Sequence, residues 1–513
     1  MKKKILSVLL CAAMTASILI GCGGKSNDTK DTTAESVLTF PVTATVTKLN
    51  RVLEGMAEGW FQLAGFTDEL YRVDLDETRY YLADSCVISD DGLTYTLKLK
   101  DNLKWHDGEQ ITADDVVFTM ACIANTNNGA GFTNVAFVNK EPVKVEKVDD
   151  LTVNFTIPQP SASYFELLGK LVLIPEHAFD GNTDIVSAKA NLTDIGSGPY
   201  KLAEFKDGEF LVLEKFDDYY GGEPKIDKLV YRVIGDSSAQ EVAFRNGEIN
   251  FLPLSSDSAV EQYKGKDGVT VHTLAEGRVN YMAVNRYSDT WKNKDAVKAV
   301  FAALNKEEII EGAYGAMGKP ARSIFSNQTL FYDESVKGYE QNLEEAKALA
   351  KSSGLAGKTL KLYFNADRAY MKETAQIIQQ QLKKIDVNVE VEGIESNGFF
   401  DIVFGNRADY DLYLNGYPAA GDPDEIAGMF DGTWGTNVKT SQNILDMFAK
   451  ARKTTDASER EKIYHELQKA AIDEDLIYPI TYINYCFVTG SNLEGTEVYP
   501  TPVFEDYTKL YFK

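Results

Sequence analysis

The chain has 513 residues, of which 44% are hydrophobic and 25% are charged, the balance of an ordinary globular protein. Its length exceeds what one hydrophobic core supports, so we expect two or three domains. The formal net charge of −24 argues against nucleic acid as a partner and against a body that lies flat on anionic lipid, because both rely on cationic contacts.

The first segment predicts export. Lys2, Lys3 and Lys4 precede an uncharged and mostly apolar stretch over residues 5–20. A basic start followed by a short apolar run is typical of a signal peptide, and the run falls short of the roughly 20 residues that span a bilayer. We therefore predict that residues 1–21 are a signal peptide.

Residues 19–22 (LIGC) resemble the bacterial lipobox. This resemblance implies cleavage before Cys22 and a diacylglyceryl group on its thiol, and two acyl chains hold a protein on a membrane far better than one. The alternative is an ordinary secretory signal with a chance cysteine. Residues 22–36 carry almost no large apolar side chain and predict a flexible tether. We expect a protein at the outer face of the cell membrane, on its extracellular or periplasmic side, held there through its lipid anchor only.

Cysteines and histidines give no pattern of a metal site. The mature chain keeps Cys86, Cys122 and Cys486, whose wide spacings fit no metal-ligand motif. They leave two alternatives open, one disulfide or three buried thiols. The four histidines are far apart in sequence. We expect neither a metal site nor a cofactor.

Strands dominate the predicted elements of the first half. Apolar and polar residues alternate over residues 94–100 and 151–157, which predicts two strands with one buried face each. Between them, Thr112 and Asp115 form a capping-box pattern that predicts the start of a helix. The expected buried face of that helix comprises Val116, Val117, Met120 and Ala124.

Helices and strands alternate in the second half. Helices are predicted over residues 344–352, 378–385 and 442–453 and from Asp456 onward, and strands over residues 360–364 and 387–391. This alternation favours α/β lobes.

Three short motifs suggest chemistry, but each is better explained by a turn or by chance. Residues 24–26 (GKS) lack the earlier glycine of a phosphate-binding loop, since Leu19 stands there. Residues 196–200 (GSGPY) lack the spacing of a nucleophile elbow and predict a glycine-rich turn. Residues 106–108 (HDG) contain a turn signal with no nucleophile nearby. We therefore expect no catalytic residue.

A cluster of carboxylates at residues 422–425 (DPDE) has two interpretations. Paired carboxylates hydrolyse glycosides or bind Ca²⁺. Asp422 followed by Pro423 is instead typical of a helix start, with Asp422 as the N-cap and Pro423 at the first position. We favour the helix start.

A series of further motifs follows a known order. In chain order they are residues 82–84 (LAD), 91–95 (DGLTY), 104–108 (KWHDG), 112–118 (TADDVVF), 196–200 (GSGPY), 218–222 (DYYGG), 247–250 (GEIN), 281–285 (YMAVN), 314–315 (YG), 345–349 (EAKAL) and 412–423 (LYLNGYPAAGDP). Together they resemble the extracellular solute-binding proteins of family 5, the peptide/nickel group that feeds ABC importers.

The resemblance implies an α/β, two-lobed fold of the periplasmic-binding-protein type, with a ligand cleft between the lobes. The first lobe would be discontinuous and combine residues 37–72, 188–275 and 486–513. An extra subdomain would be inserted over residues 73–187, and the second lobe would span residues 276–485. Ligand binding would close the lobes by a hinge motion, and the membrane permease would recognise the closed form.

The resemblance also implies a set of ligand contacts. Carried over residue by residue, they are Trp60, Phe66, Tyr281, Asn415, Tyr417, Ala419, Tyr482 and Tyr485. Core packing explains each of these residues equally well, and Tyr281 is alternatively a hinge residue.

One position departs from the family pattern. Peptide-binding members carry an Asp in the segment equivalent to residues 417–421, where it pairs with the amino terminus of the peptide, and Ala420 stands there. A buried ammonium without its counter-ion is strongly destabilised. Peptide binding in the usual mode is therefore in doubt unless another acid, such as Asp422, substitutes.

Two functions remain open. The first is a monomeric lipoprotein that captures a peptide or peptide-sized solute and delivers it to an ABC permease with its ATPase subunits, without chemistry of its own. The alternative is a cell-surface hydrolase that acts on glycans through cleft carboxylates, or a binding protein for a non-peptide ligand such as an oligosaccharide or a metal complex. Turnover of peptides or oligosaccharides would defeat the first.

Overall fold

The described part of the chain begins after the predicted export segment. The computed structural model describes residues 35–54, 57–73, 77–131, 133–366, 368–405, 409–431, 438, 440–496 and 506–513. The predicted signal peptide, Cys22 and the tether up to residue 34 lie outside these residues. Ser36–Lys513 forms one compact unit. Within the described ranges, every helix is too short or too polar to cross a membrane.

Strands and helices alternate along the chain. The strands are β1 (Val37–Val42), β2 (Tyr71–Val73), β3 (Thr78–Tyr80), β4 (Ala83–Ile88), β5 (Thr94–Leu99), β6 (Phe137–Val138), β7 (Glu141–Pro142), β8 (Lys144–Lys147), β9 (Thr152–Thr156), β10 (Tyr200–Lys206), β11 (Phe210–Lys215), β12 (Lys228–Val233), β13 (Phe251–Leu254), β14 (Val269–Val284), β15 (Gly318–Pro320), β16 (Thr359–Asn365), β17 (Asn388–Ile394), β18 (Leu412–Pro418), β19 (Tyr478–Gly490), β20 (Leu493–Glu494) and β21 (Tyr511–Phe512).

The α-helices lie between these strands along the chain. They are α1 (Ala57–Leu63), α2 (Ala113–Ala124), α3 (Thr133–Ala136), α4 (Tyr164–Gly169), α5 (Ser237–Arg245), α6 (Asp257–Tyr263), α7 (Lys294–Ala303), α8 (Lys306–Ala313), α9 (Leu343–Ser352), α10 (Ala369–Lys383), α11 (Ser396–Val403), α12 (Ala427–Asp431), α13 (Gln442–Lys453) and α14 (Ala457–Asp473).

Three larger sheets organise these elements. The first has the order β1-β12-β11-β10, with β1 parallel to β12. The second, β4-β5-β9-β8, is antiparallel and belongs to the predicted insertion. The largest has seven strands in the order β13-β19-β14-β18-β16-β17, with β15 paired to β19. Each sheet has a hydrophobic core of its own.

Burial follows the alternation that strand geometry imposes. Tyr95, Leu97 and Leu99 of β5 are buried and the residues between them are not, as the sequence predicts. In the second half of β14, both faces are covered, because Tyr281 packs into one core cluster and Met282 into the other. A sheet covered on both faces gives an almost continuous apolar strand.

Three predicted helix starts are confirmed, but one predicted range and one predicted buried face are partly wrong. The helix predicted over residues 378–385 spans Ala369–Lys383. The capping box of Thr112 and Asp115 begins α2, α13 has the predicted bounds, and Asp456 caps α14. In α2, however, Ala124 is exposed and Val117 only half-buried. The buried face includes Phe118 instead, because its ring packs 5.8 Å from that of Phe179.

The three cysteines that the structure describes, Cys86, Cys122 and Cys486, are free and buried. Burial raises the pKa of the Cys86 thiol to about 11 and the pKa of the Cys122 thiol to about 12. Of the two alternatives that the sequence left open, the structure has three buried thiols.

Strands β14 and β19 carry the chain between the lobes as one antiparallel pair. The first-lobe end of β19 pairs with β13, and the second-lobe part of β14 pairs with β18. The register shifts between Ala275 and Arg278, so Glu276 and Gly277 form a bulge at the crossing. Bulges bend a strand locally, so we expect this bulge to act as the hinge.

Gly277 is required at this bulge for two reasons. Its φ of +66° lies in the left-handed region. A Cβ at Gly277 would also lie 2.7 Å from the Cβ of Ala420. Gly208 has a similar φ of +71°, but a Cβ at Gly208 would have no atom within 4 Å. A substitution at Gly208 therefore measures the cost of the left-handed backbone without a steric clash.

We predict that Gly208→Ala lowers the free energy of unfolding by about 1–2 kcal/mol, the usual left-handed penalty. Gly277→Ala should lose about 1–3 kcal/mol more, because the methyl group also overpacks the hinge. Urea unfolding followed by tryptophan fluorescence measures both losses. Equal losses would show that the contact with Ala420 carries no strain.

Candidate ligand-binding cleft

The candidate site lies where three parallel strands end. Strands β16, β17 and β18 run parallel, so their carboxyl ends at Asn365, Ile394 and Pro418 share one edge of the large sheet. Arg278 of β14 pairs with Pro418 at this edge, and from there β14 continues into the first lobe. Ligands of open α/β sheets bind outside the carboxyl ends of the strands. We call this edge, with its flanking described residues 276–278, 365–366, 368–370 and 418–421, the cleft edge.

Two arginines and one glutamate set the charge of the cleft edge. The guanidinium of Arg278 donates from Nε to Glu276 at 2.9 Å and from Nη1 to the carbonyl oxygen of Gly416 at 2.9 Å. Arg368 donates from Nη1 to the hydroxyl of Tyr370 at 2.9 Å. The two guanidiniums can donate charge-assisted hydrogen bonds to a carboxylate of a ligand.

Arg368 remains charged although it is largely buried. Burial alone lowers its pKa, but the adjacent Tyr370 and the negative charge of Glu276 more than offset this effect, so the pKa lies above its ordinary value. Neither Arg278 nor Arg368 was predicted as a site residue, because the two lie far apart in sequence and outside the quoted motifs.

Ala420 lies at the cleft edge, as the family resemblance implies. It is exposed, and the neighbouring Ala419 donates its backbone N–H to the carbonyl of Gly277 at 2.6 Å, which fixes this segment against the hinge. Position 420 therefore adjoins the hinge but contributes only a methyl group.

Asp422 is already engaged and does not replace the missing acid. Its carboxylate accepts hydrogen bonds from both terminal nitrogens of Arg460, at 2.5 and 2.7 Å, and from the backbone N–H of Asp424 at 2.9 Å. The predicted N-cap role is thereby confirmed, with Pro423 at the first position of a 3₁₀ helix. Removal of either charge would leave the other buried without a partner, which is strongly destabilising.

Four of the predicted site residues lie together beneath the cleft edge. Tyr281, Tyr417, Ala419 and Tyr482 belong to one core cluster and are between 1% and 8% exposed. The Tyr417 hydroxyl donates to the carbonyl of Ile324 at 2.5 Å, and the Tyr482 hydroxyl accepts from the backbone N–H groups of Arg322 and Ser323, both at 3.1 Å.

Asn415 lies beside this cluster and is half-buried, opposite Tyr281 across the strand pair. In this structure the five side chains support the cleft edge from within. That they contact a ligand stays a prediction.

The other three predicted residues lie apart from this cluster. Trp60 and Phe66 lie in the first lobe, and Tyr485, the last residue of the predicted second lobe, packs against the core of the first. Phe66 is buried with its ring edge-on to His106, and Tyr485 is half-buried beside Phe487, 5.9 Å between ring centroids. Trp60 donates from Nε1 to the carbonyl of Glu54 at 2.8 Å, and the Arg51 guanidinium lies 4.2 Å from the centroid of its ring. The structure does not bring Trp60, Phe66 and Tyr485 to the cleft edge.

The two motifs that resembled catalytic sequences pack against each other. His106 accepts at Nδ1 from the backbone N–H of Gly196, at 3.0 Å, and donates from Nε2 to the carbonyl of Gly198, at 2.9 Å. Burial lowers the pKa of His106 to about 4, so the imidazole is neutral. His106 thus fastens the insertion to the first lobe, as a turn-forming segment would.

The insertion also contacts the second lobe through the residues before and within α4. Ser163 donates from Oγ to Asp424 at 3.1 Å, and Ala162 donates its backbone N–H to the carbonyl of Arg452 at 2.9 Å. Lys170 forms ion pairs with Glu166 and with Glu425. We call this set of contacts the lobe bridge.

Each carboxylate of the 422–425 cluster therefore has a cationic partner. Asp422 pairs with Arg460, Asp424 with Arg452, and Glu425 with Lys170. Among the residues that the structure describes, no group of three or more His, Cys, Asp or Glu side chains is placed to hold a metal ion. The cluster is thus built into the fold and the lobe bridge.

Glu166 is the titratable centre of the lobe bridge. Burial raises its pKa to about 7; Lys170 opposes this shift, and the negative charges of Glu425 and Asp422 add to it. In the unfolded chain the same carboxyl has an ordinary pKa of 4.5. Because the folded state keeps the proton up to a higher pH, its stability falls as the pH rises from about 4.5 to about 7.

We predict that Glu166→Gln removes this loss, since a carboxamide does not ionise. The melting temperature of Glu166→Gln relative to that of the unmodified protein should rise between pH 5 and pH 8, as thermal scans would show. Glu146→Gln, an exposed position of the same insertion paired only with Lys144, is the matched control and should show no such trend. A difference in melting temperature that stays constant with pH would show that Glu166 does not titrate in this range.

Comparisons with known proteins place the fold. The family model described as "Bacterial extracellular solute-binding proteins, family 5 Middle" matches residues 77–438. The chain is 28% identical over 466 residues to the oligopeptide-binding protein AppA of Bacillus subtilis. The alignment covers 85% of this chain and 82% of that protein.

Solved structures agree closely. The ABC transporter substrate-binding protein CtaP of Listeria monocytogenes superposes with a TM-score of 0.88 at 34% identity, over 93% of this chain and 99% of that one. A putative peptide-binding protein AppA from Clostridium difficile gives a TM-score of 0.85 at 34% identity, over 93% and 100% of the two chains. The two-lobed α/β fold predicted from the sequence is confirmed.

Proposed function

Because the chain belongs to the bacterial extracellular solute-binding proteins of family 5, we propose that it captures a peptide or peptide-sized solute between its lobes and delivers it to the permease of an ABC importer. The observation that carries this function is the cleft edge, where Arg278 and Arg368 adjoin the bulge through which both lobes are joined. The names of the relatives from Bacillus subtilis and Clostridium difficile, both described as peptide-binding, support the ligand class.

The charges of the cleft edge favour recognition of the ligand by its carboxylate. Arg368 and Arg278 supply charge-assisted hydrogen bonds to an anion. Position 420 supplies no acid for an ammonium, and Asp422 is held by Arg460. The proposed ligand is therefore a peptide whose carboxyl terminus is bound and whose amino terminus is not required, so an N-acetylated peptide should bind as well as the free one.

The remaining parts of the proposal concern attachment and partners. Cys22 would carry the lipid anchor, residues 22–36 would be the tether, and the protein would act as a monomer with the permease and its ATPase subunits. The domain bounds proposed from the sequence fit this assembly, since the crossing strands β14 and β19 join the two lobes. Release of the protein from membranes by Cys22→Ala would test the anchor, and retention on the membrane would contradict it.

We predict that Arg368→Met weakens peptide binding at least tenfold, because loss of a charge-assisted pair costs roughly 1.5–3 kcal/mol. The probe is a protease digest of casein, with bound masses read by native mass spectrometry and affinity by calorimetry. Arg232→Met is the matched control, because Arg232 lies on the surface and pairs with Glu248.

Retention of the same peptides by Arg368→Met, with a normal melting temperature, would contradict the site. Cleavage of the peptides, or of oligosaccharides added in their place, would favour the hydrolase alternative instead.

A further inference from the structure

A second cavity lies outside the cleft, between the first lobe and the insertion. Its volume is about 270 Å³, and its walls include Asp68, Lys100, Tyr219 and Tyr220. None of its lining residues belongs to the second lobe. Pockets for drug-sized ligands measure about 300–1,000 Å³, so this cavity suits a smaller molecule.

Asp68 presents an unused carboxylate oxygen in this cavity. Its Oδ2 accepts hydrogen bonds from the hydroxyls of Tyr219, at 2.7 Å, and Tyr220, at 2.6 Å. Its Oδ1 has no hydrogen-bond partner in the described part of the chain, although the residue is only 8% exposed. Burial raises the pKa of Asp68 to about 6, so the carboxyl is mostly ionised at neutral pH. This oxygen, which faces the cavity, can accept a hydrogen bond from a donor or bind a cation.

Lys100 presents unused donors in the same cavity. Its Nζ donates to the carbonyl of Tyr80 at 2.8 Å and lies 5.0 Å from the centroid of the Tyr220 ring. An ammonium has three donors, so two remain for another partner. Burial lowers the pKa of Lys100, and the negative charges of Asp68 and Asp84 oppose this.

Asp68 and Lys100 do not neutralise each other directly. Their charged atoms form no ion pair among those of the described residues, because Tyr220 bonds Asp68 through its hydroxyl while its ring faces Lys100. The adjacent Glu69 is satisfied separately by Arg51, at 2.9 Å, and by Arg72, at 3.0 Å. The cavity thus holds a carboxylate and an ammonium, each with free hydrogen-bonding capacity.

We propose that this cavity binds a small zwitterion of amino-acid size. The ammonium of the ligand would lie at Asp68, beside the rings of Tyr219 and Tyr220, which favour a cation. The carboxylate of the ligand would accept from Lys100. The site is independent of the cleft edge, because Arg278 and Arg368 do not line it.

The test uses free L-amino acids as probes. Each is added at about 10 mM to the full protein, and a rise in melting temperature reports binding. Calorimetry with the best probe then compares Asp68→Asn and Lys100→Met with two matched controls, Asp90→Asn and Lys98→Met, which change exposed residues of the same insertion. Asp68→Asn keeps an acceptor for both tyrosine hydroxyls and replaces only the free oxygen, so it should fold normally.

The proposal expects at least a tenfold loss of affinity in Asp68→Asn and in Lys100→Met, and no change in either control. The N-acetyl and the amide derivatives of the best probe should each bind at least tenfold more weakly, since each lacks one of the two charges. The absence of binding to the unmodified protein would overturn the proposal. So would an affinity that neither Asp68→Asn nor Lys100→Met reduces.

Discussion

The antiparallel pairing of β14 with β19 is the constraint on which the rest of the structure depends. The two strands run between the lobes in opposite directions, so a ladder of backbone hydrogen bonds links the lobes. Its register shifts between Ala275 and Arg278 and between Asn280 and Tyr281. Such a ladder resists separation and shear of the lobes but bends where its register is broken. The bulge at Glu276 and Gly277 provides that point, and the cleft edge lies directly beside it.

The acidic residues of the 422–425 segment and the arginines of the cleft edge differ in how they are paired. The acids of the 422–425 segment are consumed in the fold, each bound to an arginine or a lysine. Asp422 is buried and needs its partner, because an isolated buried carboxylate is too unfavourable. At the cleft edge, by contrast, the guanidiniums of Arg278 and Arg368 lie near the carboxylate of Glu276 and keep donors for a ligand.

Local sequence signals predicted local structure well. The capping boxes, the alternation over residues 94–100 and the N-cap at Asp422 depend on neighbours in the chain, and all are found. The two-lobed fold was predicted from the resemblance of the family motifs.

The cleft edge could be predicted only in part. Ala420 and its segment lie there. Arg278 and Arg368, whose guanidiniums can bind a ligand, are far apart in sequence, and only the folded sheet brings them to the same edge. Tyr281, Tyr417 and Tyr482 are aromatic residues in a ligand-lining segment or at a crossing. The sequence alone did not show whether these residues line the ligand cleft or lie in the core beneath it. The structure buries them in the core.

The account's central claim is that a peptide closes the two lobes about the bulge. Small-angle X-ray scattering tests it most directly, on protein stripped of ligand by unfolding and refolded, before and after addition of the peptide digest. The account predicts a smaller radius of gyration with peptide than without it. An unchanged scattering curve, in a sample where native mass spectrometry shows bound peptide, would contradict it.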